Sequence, residues 1–152
     1  MSLTFNRELD FIYGRVSVLT PTIRRVIAEN PGPFTFKGTG TYIIGRGEVA
    51  VIDPGPEDDA HFKALMHMLK GETVTHILVT HTHRDHSPGV KQLQPATGAK
   101  TYGYGPHGGD KGLPRVEEGG DFDFVPDVVV KDGDVIRGKH WTIEAVHTPG
   151  HT

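Results

Sequence analysis

A chain of 152 residues is long enough for one self-supporting core, and a net charge of −3 neither demands nor excludes a nucleic-acid partner. The absence of cysteine rules out disulfide frameworks, thiolate metal sites and cysteine nucleophiles, so any metal must be held by imidazole and carboxylate. No apolar run approaches membrane-spanning length, and MSLTFNRELD at the N-terminus lacks a basic region followed by an apolar one. No membrane association is expected, and a cytoplasmic location is the default.

Residues 15–27 alternate as strands broken at Thr20-Pro21, and Asn30-Pro31-Gly32-Pro33 is a rigid turn because proline fixes its own φ. Residues 41–44 and 48–52 read as strands joined through Gly45-Arg46-Gly47, a hairpin that argues for an antiparallel or mixed sheet. From Asp58 the period changes. Phe62, Leu65, Met66 and Leu69 share a helical face, Asp58 or Asp59 can cap it, and Gly71 ends it. Residues 75–80 then form a β-rich apolar run, predicted to be a buried strand. A short helix is expected over 87–93, with Pro88 in its first turn, and a strand over 100–104. Residues 105–126 lack periodicity, and so long a loop suggests a task such as covering a substrate. Residues 128–130 and 141–146 read as further strands, with a turn at Asp132-Gly133-Asp134. The fold class is mixed α/β.

THTHRDHSPG, residues 80–89, gathers three histidines and an aspartate within a few positions. His81 and His83 are two apart, so extended backbone points both side chains the same way. Asp85 and His86 follow where the chain turns towards a helix. Such a set beyond the end of a buried strand suits zinc, and manganese or iron is acceptable to the same donors. A histidine-rich solvated turn is the plain alternative. Further on, His147 and His151 flank Thr148-Pro149-Gly150, and His151, just past a glycine, is free to enter a crevice. With His81 and His83 it would complete a three-histidine set with a position open to water. The remaining histidines read as structural: His61 and His67 on the surface or flank of the helix, His76 at the start of a strand, His107 and His140 in or beside loops.

THTHRDH resembles the HxHxDH motif of the metallo-β-lactamase superfamily at His81, His83, Asp85 and His86, and HTPGHT resembles the next ligand motif, ending at His151. VIDPG, residues 51–55, is similar to the first motif of that family, in which Asp53 supports the site. NPGPFTFKGTGTYIIG and KDGDVI resemble the subgroup around the human β-lactamase-like protein 2 and its bacterial relatives. The resemblance implies an αββα sandwich and a hydrolase using metal-activated water on an ester, thioester or phosphodiester; glyoxalase II uses the same motifs. It implies two zinc ions per complete chain. His81, His83 and His151 would hold the first, and Asp85 and His86 would contribute to the second. Asp85 would also orient the nucleophile, and Asp53 would steady the histidine loop.

A bridging aspartate and a last histidine of the family pattern belong downstream of HTPGHT, so the 152 residues are expected to be the N-terminal portion of the domain. Such a portion would be catalytically weak and prone to pair with another copy as a homo-oligomer. A small-molecule ester or thioester is the expected partner. The alternatives are single-strand endoribonuclease activity, with RNA as partner, and a non-catalytic metal-binding or interaction domain. Tyr102 and Tyr104 are read as packing residues rather than a stacking platform for a flat group.

Overall fold

The computed structural model describes residues 8–108 and 119–151. Within them a seven-stranded sheet runs in chain order from one edge to the other. Strands β1 (Ser17–Thr20), β2 (Ile23–Ile27), β3 (Gly40–Arg46) and β4 (Glu48–Ile52) form an antiparallel meander. Strands β5 (Thr73–Leu78), β6 (Lys100–Gly103) and β7 (Val128–Val129) then add in parallel. The change of sense at β4 follows from the connections. A tight turn can join only antiparallel neighbours, whereas helix α1 (Asp59–Met68) supplies the crossover from β4 to β5 and α2 (Val90–Thr97) the one from β5 to β6.

Side chains alternate across the sheet and so serve two cores. Ile43, Val49, Val51 and Ile77 face one way and pack with Leu65 of α1 and Leu93 of α2. Their neighbours Ile44, Ala50, Ile52 and Leu78 face the other way, against Ile136, Trp141 and Ile143 of a two-stranded antiparallel sheet, β8 (Val135–Gly138) and β9 (Trp141–Glu144). Trp141 also donates its indole N–H to the Glu48 carbonyl at 3.1 Å, which pins the second sheet to β4. Helix, sheet and sheet are thus the layers of an αββα sandwich that the described residues supply. Removing a side chain as deeply buried as Leu65 would cost about 2–5 kcal/mol. Among these residues no helix is long and apolar enough to cross a membrane.

Several details differ from the sequence expectation. α1 starts where expected, with the Asp58 carboxylate accepting from the His61 amide at 2.7 Å, but His61 is buried rather than on the surface. Its Nε2 pairs with Thr41 Oγ1 at 2.8 Å, which explains why an imidazole is tolerated there. α2 begins at Val90 instead of residue 87, because the Ser87 and Pro88 carbonyls accept from the Val90 and Lys91 amides in tight turns that precede the regular helix. β8 is an element the expectation lacked: with Arg137, Gly138 and Lys139 following Ile136, its run is too short to show a period. Of the long loop, residues 109–118 lie outside the described part, so its expected covering role is not visible.

Candidate metal centre

Because β4 and β5 are parallel neighbours, Asp53 and His81 leave the sheet side by side at its carboxyl edge. That edge is where α/β sheets bind ligands. The Asp53 turn and the histidine loop are then stitched together: the Gly55 amide donates to the His86 carbonyl at 3.0 Å, and the Gly89 amide to the Gly55 carbonyl at 2.8 Å. Only glycine suits position 89, since a Cβ there would lie 2.6 Å from the Pro54 carbonyl oxygen. Asp53 itself holds φ at 51°, a region that costs most residues energy but that aspartate tolerates better than most.

At this edge His81, His83 and His151 come together. One ring nitrogen from each lies within 4.8 Å of the others, and the three ring centroids form a near-equilateral triangle with sides of 4.8–4.9 Å. This is somewhat wider than the 3 to 4 Å expected of ligands closed on an ion, since zinc binds imidazole at about 2.0–2.1 Å.

The chemistry of the donors fits a cation. Thr80 donates its hydroxyl to Asp53 Oδ2 at 2.7 Å, because a carboxylate can only accept. The Thr80 oxygen is therefore left to accept from His81 Nδ1, 3.0 Å away. That fixes the proton on Nδ1 and leaves a lone pair on Nε2, and the Nε2 atom is buried with no hydrogen-bond partner. An orphaned buried acceptor is costly. Burial, reinforced by the neighbouring His86 charge, also pushes the His81 pKa down to about 4, so the ring is neutral and ready to bind a metal at physiological pH.

Asp85 and His86 sit on the same loop but are arranged differently. His86 spans two carboxylates, with Nδ1 2.9 Å from Asp53 Oδ2 and Nε2 3.1 Å from Asp85 Oδ2. Burial opposes its charge, yet the hydrogen bonds it donates to Asp53 and Asp85 prevail and raise its pKa to about 9. Asp85 is desolvated as well, but its bonds to His86 and Thr39 hold it down at about 2. Thr39 donates its hydroxyl to Asp85 Oδ2 at 2.7 Å. Asp53 completes its own set with the Thr80 amide, 2.8 Å from Oδ1. Among the described residues the metal-like cluster therefore contains His81, His83 and His151 and leaves Asp85 and His86 paired with each other.

Sequence reasoning missed the supporting hydroxyls Thr39 and Thr80, together with Ser87, whose Oγ donates to Asp121 Oδ2 at 2.7 Å. Nothing in their spacing points to these roles. His147, by contrast, stays outside the cluster and stacks on exposed Tyr104, with centroids 4.9 Å apart. Tyr102 packs in the intersheet core, as its sequence reading has it.

An α/β sandwich with a histidine cluster at the carboxyl edge of its sheet defines a class of metal-binding proteins. The chain belongs to the metallo-beta-lactamase superfamily, whose sequence profile matches residues 35–152. It is 33% identical over 140 residues to an atrochrysone carboxyl ACP thioesterase of Claviceps purpurea, covering 90% of this chain and 41% of that protein. It is 32% identical over 139 residues to a lactamase-like protein of Pestalotiopsis microspora, again covering 90% of this chain and 39% of the relative. The chain thus spans about two fifths of the length of these curated relatives. Among solved structures, BJP-1, a subclass B3 metallo-beta-lactamase of Bradyrhizobium japonicum, shares the fold with a TM-score of 0.68. That likeness, at 22% identity, covers 90% of this chain and 53% of that one.

Proposed function

We propose that the chain is the metal-binding part of a hydrolase that uses metal-activated water on a thioester or a related ester. The observation that carries this reading is the buried, unpartnered Nε2 of His81 within the triangle it makes with His83 and His151. Those three residues would hold a zinc ion, with manganese or iron as chemical alternatives. Once bound, the metal would supply Lewis acidity and lower the pKa of a water molecule. The chain's own contribution is to keep His81 neutral by burial and to fix its proton on Nδ1 through Thr80 and Asp53. Asp85, ionised down to a pH of about 2, supplies a carboxylate that can orient a nucleophile and accept its proton.

The thioester preference draws support from the Claviceps relative, which is named an atrochrysone carboxyl ACP thioesterase. The narrower likeness to the β-lactamase-like protein 2 subgroup, and with it RNA cleavage, rests on residues 30–45 and 131–136 alone. A second zinc would draw on Asp85 and His86, and it first requires His86 to give up its proton and its carboxylate partners. Zinc titration followed by assays on an acyl-pantetheine thioester and on a phosphodiester tests the reading. Zinc-dependent thioester cleavage that outpaces phosphodiester cleavage is the expected result. Phosphodiester turnover alone would move the function to nucleic acid, and zinc uptake without any turnover would favour a non-catalytic metal domain.

A further inference from the structure

His107 lies outside the three-histidine cluster but is built into the wall behind it. Residues 119–121 run alongside the histidine loop as a short antiparallel partner: His83 bridges Gly120, the Arg84 amide donates to the Gly119 carbonyl at 3.0 Å, and the Asp121 amide donates to the Thr82 carbonyl at 2.7 Å. Arg84 Nε adds a bond to the Gly120 carbonyl at 3.2 Å. The His107 ring lies across this ladder. Its Nδ1 pairs with Thr82 Oγ1 at 2.7 Å, and Phe122 meets it edge-on with centroids 4.7 Å apart. At Gly120 an added Cβ would overlap the Nε2 edge of that ring, so the glycine is the seat on which the imidazole rests.

Neither nitrogen of His107 is therefore offered to the cluster, although its ring centroid is only 6.3 Å from that of His83. The two flanks of the long loop, residues 107 and 119–122, instead close on Thr82, the residue between His81 and His83. We propose that His107 is a positioning residue: seated on Gly120 and bonded to Thr82, it locks residues 119–121 onto residues 82–84 and so sets the direction of His83. This inference rests on the metal-centre reading above and adds a support to it. Histidine ligands held by such outer contacts typically lose about 10- to 100-fold in metal affinity when the contact is removed.

The test uses His107→Ala, His107→Asn, Thr82→Val and Gly120→Ala, with zinc affinity measured by chelator competition and the visible spectrum of the cobalt(II)-loaded protein. Asparagine can keep the bond to Thr82, and Thr82→Val is nearly isosteric, so at least one variant should fold normally. The expected result is zinc binding weakened by about tenfold or more in His107→Ala, Thr82→Val and Gly120→Ala, with an altered cobalt spectrum and partial rescue in His107→Asn. Wild-type zinc affinity and an unchanged cobalt spectrum in the folded variants would overturn the proposal. A parent chain that takes up no zinc would instead remove the metal-centre reading. The clasp is then decided by amide exchange at Arg84 and Asp121 in the metal-free protein: tenfold faster exchange in His107→Ala upholds it, and unchanged exchange refutes it.

Discussion

Two groups of side chains meet at the loop after β5, the first of them completed by His151 from beyond β9, and they solve the problem of burial in opposite ways. His81, His83 and His151 converge with a neutral ring and an unsatisfied nitrogen among them. A few residues on, His86 carries a proton and lies between two carboxylates that also bind threonine hydroxyls. The first group is incomplete without a cation; the second is complete as it stands. Proximity of ligand-type residues in sequence thus says little about which of them are poised to bind. What decides it is where each proton sits. The two groups meet at Asp53, which orients His81 through Thr80 and holds His86 directly.

Removing a member of the first group should have the largest effect. Structural zinc is held by about 10–16 kcal/mol spread over four ligands, so His83→Ala is expected to weaken zinc binding by on the order of a hundredfold or more. Metal content after dialysis and loss of any zinc-dependent hydrolysis check this. Asp85→Asn should break the symmetry of the comparison: the first zinc binds almost as before, while hydrolysis falls by about 10²–10⁴-fold, as expected for loss of an acid–base group. Parallel zinc titration and steady-state kinetics separate the two effects. Retained turnover would place Asp85 among structural residues. Asp53→Ala touches both groups at once and should lower metal affinity by about 10- to 100-fold, with the His86 pKa falling well below about 9 in an NMR titration.

The smallest effect is the most discriminating. In the metal-free protein the His81 pKa is held at about 4, below its usual value of 6.5, so the unfolded chain binds more protons there and stability should fall as pH drops from 6.5 through 4. His86 is shifted the other way. Its pairing contributes fully below 6.5, and that contribution should be lost as pH rises through about 9. Melting temperatures across this range should trace an acid limb weakened by the first group and an alkaline limb weakened by the second. His86→Gln should flatten the alkaline limb and soften the acid limb only in part, because burial is the larger cause of the His81 shift and the His86 charge the smaller; equal changes in both limbs would refute the separation.

Much of this was legible in the sequence, for physical reasons. The hairpin glycines, the spacing of Phe62, Leu65, Met66 and Leu69, and the Asp58 cap are local signals, and the helix and central strands stand close to where these place them. The i, i+2 pair His81 and His83 and the glycine before His151 also pointed to convergence. What stayed hidden depends on contacts between distant segments. His61 looks like a flank residue until Thr41 is brought against it, and the pairing of His86 with two carboxylates follows only from the Asp53 turn meeting the histidine loop. β8 needed its partner β9 to declare itself.

The mixed sense of the large sheet also orders events in time. Its antiparallel half is made of strands that follow one another directly, whereas the histidine loop depends on partners such as Gly120, 36 residues from Arg84, and the second sheet reaches back across 93 residues from Trp141 to Glu48. Closing longer loops costs more entropy, and non-local pairings form late. The N-terminal meander is expected to take shape first during folding, with the histidine triangle among the last features to assemble. Metal capture would then mark the end of folding rather than initiate it, and a chain starved of zinc would still acquire most of its architecture.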